Sequence, residues 1–488
     1  MVHTTRRQML RGAGLFAGVL TLAACDTAPP EGATGGAGGA SGSTGPLAWW
    51  DQFNPLQDLH KKTFAAFSKE GGPQVQYTVY NPADQGKALQ LAFSSKQMPD
   101  VFTLAGIDVP PSVLLEQGWF APLTNQEAIT AAVPEGSLVP GIHLFDGKLY
   151  SFSIFSFRQY ETLLWGNKQL QEKAGLDPAQ LPASWDDMRA AAKKMTDAGG
   201  SGIILPLKFA QRMGTFVHEL AQTAGFPGSR LGGTDGIDLR TGEYRFHDDA
   251  FVESIDFLRS FQQDGTLFKA STSLDARSGR ARWAAGGSGY FLDGPWNAGV
   301  VSGDFKAMLP NLTVGSIPTP NGDKPVLTRP PIGGTFWVSK QSKQVDKASA
   351  LLEDFLGKDY QTALAVAMDQ PPLDLDAVAD SDAHETYKQA IEKFKAEVFL
   401  GPTPQAREGV TAVEAAMPPS EPGLGGIVQG VFSGQVKDVR GALRKLSDER
   451  TKAREAAIKK VGGPATVEAW AFPDWKPGED FGPERYLT

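Results

Sequence analysis

One cysteine occurs among the 488 residues, Cys25, and it closes the run Leu22-Ala23-Ala24-Cys25. Ahead of it stand a charged opening with paired Arg6 and Arg7 and an apolar stretch from Gly12 to Ala24 that ends on small residues, the pattern of an export signal too short to span a bilayer. A thiol in that position is placed for acylation, and being alone it makes no internal disulfide. The other chemistry-bearing types are scattered. His3, His60, His143, His218, His247 and His384 show no metal-ligand spacing and no partner cysteine. Asp374, Asp376, Asp380 and Asp382 imitate a calcium loop but lack the oxygen at its fifth position and the glycine at its sixth, so they read as a solvated acidic loop. Gly423-Leu424-Gly425-Gly426 has no phosphate-loop lysine after it. No metal, no cofactor and no catalytic residue is expected.

The elements around these residues follow from composition and periodicity. Residues 26–46 hold almost nothing but Gly, Ala, Ser, Thr and Pro, which cannot bury enough apolar surface to offset chain entropy and therefore read as a flexible tether. Loss of residues 1–24 removes Arg6, Arg7 and Arg11 and no acid, taking the formal net charge from −8 to −11 and arguing against nucleic acid or a polybasic membrane patch as partner. No apolar run after Cys25 is long enough for a membrane-spanning helix, so a lipid is the expected anchor. From Leu47 onward the chain is too long for a typical single domain, and two lobes are expected. Leu47 to Trp50 reads as a strand, Gln57 to Phe67 as a helix with Leu59, Thr63 and Phe67 at helical spacing, Val75 to Tyr80 as an alternating strand, Lys87 to Phe93 as a helix and Met98 to Phe102 as a turn into a strand. That β-α-β-α-β order implies a mainly parallel sheet, which binds ligands at the carboxyl ends of its strands.

A set of short motifs then carries a resemblance. They are Pro99-Asp100-Val101, Asp146-Gly147-Lys148-Leu149-Tyr150, Leu163-Leu164-Trp165-Gly166-Asn167-Lys168-Gln169-Leu170, Pro182-Ala183-Ser184-Trp185-Asp186-Asp187, Trp283 to Gly287, Leu292-Asp293-Gly294-Pro295-Trp296, Ala348 to Leu356 and Val431 to Gln435 followed by Ala442-Leu443. In this order they are similar to the extracellular solute-binding proteins of ABC importers, in the sugar-binding group that includes maltose-binding protein. Trp165-Gly166 and Gly287-Ser288-Gly289 depart from that group's pattern. Leu22 to Cys25 likewise resembles the lipobox of bacterial lipoproteins, and the paired arginines resemble a Tat signal.

The resemblance implies an α/β fold of two lobes, each a mainly parallel sheet flanked by helices, joined by a three-crossover hinge near residues 157–159, 328–332 and 371–373. Residues 1–24 would be the export signal and 25–46 the lipidated tether. Residues 47–157 and 330–372 would build the amino-terminal lobe, and 158–329 and 373–488 the other. The expected protein is a monomeric, lipid-anchored, extracytoplasmic receptor that takes a mono- or oligosaccharide in the interlobe cleft and delivers it to an ABC permease. A polyol or glycerol phosphate is the other solute class, and a secreted glycoside hydrolase with two carboxylates at fixed separation the other kind of protein. Sugars present apolar C–H faces and a ring of hydroxyls, which call for aromatic plates and short polar side chains. Trp296 is the first candidate plate, as the motif's tryptophan after an apolar strand, with a core tryptophan as its alternative. Strand alternation lets only one of Trp49 and Trp50 face the cleft; Trp50 is preferred, with Asp51 as a hydroxyl acceptor. Arg158 and Tyr160 are expected in the cleft from the first crossover, a hinge salt bridge being the alternative for Arg158. Asp293 joins them, Gly106 is expected to let backbone approach the ligand, and Trp337 is included although the core suits it better.

Overall fold

The computed structural model describes residues 45–482 apart from 108 and 232, together with 485 and 486; Cys25, the leader and most of the tether lie outside the described residues. Two four-stranded sheets organise the chain. In the first, the strands run in the order Trp337–Val338, Val101–Phe102, Leu47–Asp51 and Val75–Val79, with the last three mutually parallel and Trp337–Val338 antiparallel to Val101–Phe102. Alternation along Leu47–Asp51 buries Leu47, Trp49 and Asp51 on one face, and the helix Gln57–Lys69 covers that face with His60, Phe64 and Phe67, one stripe at helical spacing. The second helix begins at Pro82 rather than Lys87, because a proline costs nothing in a first turn whose N–H groups have no partner anyway.

The second sheet runs Leu312–Gly315, Leu163–Asn167, Tyr290–Asp293, Ile203–Ile204. Here the expectation of a mainly parallel sheet needs correction, since two of the three pairings are antiparallel. Leu163–Asn167 enters directly from the first crossover and runs away from the cleft, whereas Tyr290–Asp293 runs toward it, so the two must oppose. The motif Pro182 to Asp187 does open a helix, Trp185–Asp197, through a capping box in which Ser184 and Asp187 exchange side-chain and backbone hydrogen bonds.

Each sheet has its own apolar core. Trp49, Phe53, Phe64, Phe336, Leu351 and Phe355 pack around the first, while Trp165, Phe216, Phe251, Trp283 and Phe291 pack around the second. The carboxy-terminal segment lies over the second core, burying Phe472, Trp475, Phe481 and Tyr486 against it. Between the lobes the first and third crossovers lie side by side, Phe155 bridging to Pro372 and Ser156 N–H donating to Pro371 O at 3.0 Å. The second crossover is pinned by His143, which accepts from Val139 N–H and donates to Ile332 O. Burial pushes that imidazole down to about 4, with the Ile332 carbonyl opposing, so it holds the crossover as a neutral ring.

Candidate functional site

A cavity of about 440 Å3 lies between the lobes. The first lobe supplies Gln52–Pro55, Asn81, Pro82 and Leu104–Ile107, all just past the carboxyl ends of parallel strands. The second supplies Arg212 from the helix Ala210–Thr223, Arg277 and Arg280 from Ala276–Ala284, Arg230, and Trp296 after Tyr290–Asp293. Glu161, Arg329 and Asp369, from the crossovers, close the hinge side.

Most of this charge is compensated internally. Glu161 meets Arg212 at 2.9 Å and also pairs with Arg230, while the buried Glu219 beneath it lies 3.5 Å from Arg329 and 3.7 Å from Arg230. Burial opposes ionisation of Glu161, but Arg230, Arg212 and Arg329 overcome it and hold the carboxyl down at about 2. For Glu219 burial wins, and its carboxyl is pushed up despite the same arginines. Arg280 Nε donates to Asp293 at 2.7 Å. Arg277 alone among the cleft arginines has no carboxylate at ion-pair distance among the described residues; its guanidinium reaches across to Tyr80 O at 3.1 Å and Gln52 O at 3.4 Å.

The expected residues divide. Trp296 and Gly106 line the cavity. Trp296 is half-buried, and its Nε1 donates to Asp293 at 2.9 Å while the Arg212 guanidinium lies 5.0 Å from its ring centre, leaving the other face as the usable plate. Gly294 is required here, since a Cβ on it would meet the Trp296 ring. Asp293 stands behind the wall, accepting from Arg280, Trp296 and Gly294 N–H, so it positions cleft groups and has no face for a ligand. Gly106, with φ of 72°, answers to its own protein: a Cβ there would meet Pro82 O, and one on Gly86 would meet Gly106 O.

The remaining expectations place residues in the cleft that packing puts elsewhere. Asp51 is wholly buried, taking hydrogen bonds from Trp49 Nε1, Phe53 N–H and Tyr77 OH and pairing with His60 Nδ1 at 3.0 Å. Trp50 faces away from Trp49, as alternation demands, but that face packs on Tyr80 and the Leu89, Phe102 and Trp119 cluster. Tyr160 is a core residue, donating to Glu397 at 2.7 Å and accepting from Ile317 N–H. Arg158 takes the alternative role, bonding Val398 O and Asp480 along the wall of a separate cavity behind the crossovers. Trp337 stacks on Phe120 at 4.2 Å in the core. Missed by sequence reasoning were Arg212, Arg230, Arg277, Arg280, Arg329, Glu161 and Asp369; only Arg277 and Arg280, three apart after the capping Asp275, carried a local signal.

The model of the family described as bacterial extracellular solute-binding protein matches residues 50–362. The chain belongs to that family. Membership places this solute-binding protein outside the cytoplasm, and no helix among its described residues is long and apolar enough to cross a membrane. Among curated proteins it is 24% identical over 320 residues to the sn-glycerol-3-phosphate-binding periplasmic protein UgpB of Brucella abortus (strain 2308), covering 60% of this chain and 66% of that one, just under two thirds of the relative. Among solved structures it is similar to the GacH receptor of Streptomyces glaucescens GLA.O, a structure determined unliganded and with acarbose, with a TM-score of 0.64, 19% identity and coverage of 85% of this chain and 99% of that one. Maltose-bound MalE3 of T. maritima gives a TM-score of 0.63 at 18% identity, over 83% and 99% of the two chains. These structural likenesses show the shared two-lobed fold.

Proposed function

We propose that this solute-binding protein captures a carbohydrate between its lobes and delivers it to the permease of an ABC importer. The observation that carries this reading is Trp296, a half-buried indole on the cavity wall whose edge is fixed by Asp293 and whose second face is held by Arg212. Such a plate stacks on the C–H face of a sugar ring, while Gln52 and the main-chain groups of the opposite wall meet hydroxyls. Relatives of the same fold that bind acarbose and maltose support it. The lobes in this reading are 47–157 with 330–372 and 158–329 with 373–488, closing on the ligand about the three crossovers. The protein acts as a monomer, held at the membrane by lipid on Cys25.

It binds without turnover in this reading. Of the three cleft carboxylates, Glu161 is clamped by arginines and Asp275 caps its own helix, which leaves Asp369 without the second free carboxylate that glycoside hydrolysis needs. One observation favours a second solute class. Arg277 has guanidinium N–H groups beyond the one bonded to carbonyls and no carboxylate partner among the described residues, which suits a phosphorylated polyol of the kind named for the UgpB relative.

A thermal-shift screen of the mature chain against neutral oligosaccharides, acidic sugars and sn-glycerol 3-phosphate tests both. A solute at about a hundred times its Kd adds ~2.7 kcal/mol of stability. Stabilisation by neutral sugars supports the first reading, stabilisation by the phosphate alone supports the second, and release of reducing sugar from an oligosaccharide would overturn binding without turnover.

A further inference from the structure

Asp369 stands where the chain leaves the helix Lys358–Ala367, directly after Met368, whose φ of 54° turns the backbone left-handed. The turn brings Asp369 to the hinge-side floor of the cleft, where it lines the cavity while only 3% exposed. Its surroundings differ from those of the other acids there. Glu161 has its arginines, Asp275 accepts from Ser278 N–H at 2.8 Å, and Asp293 has Arg280 and Trp296. Asp369 has no such partner among the described residues, and its Oδ2 is buried without a hydrogen bond.

Two more unmatched groups stand on elements packed beside it. Asn297, wholly buried with neither amide atom bonded among the described residues, opens the helix Asn297–Asp304, whose Gly299 N–H donates to Met368 O at 3.1 Å. Tyr387, also buried, has a hydroxyl unmatched among the described residues, and burial first and the nearby Asp369 second push its pKa up. Leaving one buried polar group unsatisfied costs about 1–3 kcal/mol, so an unpaired group in a native structure needs an explanation. Here the three lie in adjoining elements, and of them Asp369 opens on the cavity, where a ligand's polar group could reach it.

The charges around Asp369 decide which group that is. Asp51 faces it from the first strand, Tyr77 from the strand beside that, Tyr360 from its own helix and Tyr387 from Glu385–Glu397, while His60 lies between Asp51 and Tyr360. Among the described residues Arg280 is the one cation acting on it, and it is already bonded to Asp293. Burial first and Asp51 second push the carboxyl up to about 7, with Arg280 opposing. A neutral carboxyl has one O–H to donate and oxygen lone pairs to accept, the complement of a hydroxyl that does both. An ammonium ion would face Arg280.

We propose that Asp369 is a ligand-contacting, specificity-determining residue that exchanges hydrogen bonds with a hydroxyl of a neutral carbohydrate, backed by Asn297 and Tyr387. The proposal rests on the carbohydrate reading above. Closing the lobes over a ligand removes the remaining water from the carboxyl, which disfavours its ionised form further, so binding weakens as Asp369 loses its proton.

The mature chain and its Asp369→Asn and Asp369→Ala variants, titrated by calorimetry between roughly pH 6 and pH 9 with maltotriose, xylotriose, chitotriose and sn-glycerol 3-phosphate, test this. For the tightest neutral sugar, wild-type affinity falls with a slope approaching tenfold per pH unit above about pH 7. Asp369→Asn keeps affinity within about threefold at low pH and removes the slope, and Asp369→Ala loses about tenfold or more at low pH. A neutral sugar bound with the same pH profile by wild type and Asp369→Asn overturns the role of Asp369 and leaves the carbohydrate reading standing. Binding of the phosphate alone, or of none of the four, overturns the carbohydrate reading and this proposal with it.

Discussion

The two walls of the cleft are built in different ways. The wall on the first lobe is main chain and neutral side chain: loops leaving three parallel strands, with Gln85 donating to Thr103 and Thr103 donating to Gln52, and with Gly86 and Gly106 packed backbone to backbone. The wall on the second lobe is side chain, arginines and one indole held by carboxylates behind them. A wall fixed by backbone contact keeps its shape through most side-chain changes. One fixed by buried ion pairs fails when a single partner is removed, because the other charge stays behind without compensation.

Asp293→Ala is the hardest test of that difference. It strips the partner from Arg280 and the Trp296 edge together, and the expected loss is about 3–5 kcal/mol in chemical denaturation; a loss under about 1 kcal/mol would mean that the wall does not depend on its ion pair. Next comes Trp296→Ala, which leaves the fold intact and weakens the identified ligand by ~2 kcal/mol, roughly thirtyfold in Kd by calorimetry. Trp337→Ala and Trp50→Ala lower Tm instead and leave affinity nearly unchanged, since both rings pack away from the cavity.

Proton linkage separates two acids of the same cleft. Glu161, held at about 2 against an ordinary 4.5, adds stability that is present above about pH 4.5 and lost as pH falls toward 2, so Glu161→Gln flattens that part of the Tm profile. Asp369, raised from 3.8 to about 7, has the opposite sign: stability is fully present below about pH 4 and declines as pH rises to 7, so Asp369→Asn raises Tm more at pH 8 than at pH 4. The smallest effect is expected on the neutral wall, where Asn54→Ala removes an exposed hydrogen bond to Asp304 and one accepted from Gln57, and shifts stability by no more than about 0.5 kcal/mol.

How much of this was legible in the sequence follows the same division. The strand-helix-strand order of the first lobe was readable because local periodicity and the strand-end rule are short-range, and Gly106 was found near the cavity for that reason. Trp296 was readable from its motif. Asp51 and Tyr160 were not, because which side of a strand end or crossover turns inward depends on partners far along the chain: Asp51 meets Tyr77 and His60, and Tyr160 meets Glu397, 237 residues away. The arginines of the second wall escaped for a related reason. Arg212, Arg230 and Arg329 converge on two glutamates only after folding, and none of their sequence neighbourhoods distinguishes them from solvated surface cations. The antiparallel pairings of the second sheet likewise depend on the direction in which the chain leaves the crossover, which periodicity does not record.

Arg277 also bears on kinetics. Its guanidinium spans the cleft to Tyr80 O and Gln52 O, so drawing the lobes apart breaks contacts to two carbonyls before water can replace them. Solute uptake then becomes a gated step, with an observed association rate that stops rising with concentration once separation of the lobes is limiting. Release is governed by the same motion. The lifetime of the loaded protein is therefore set partly by the main-chain contacts of one arginine.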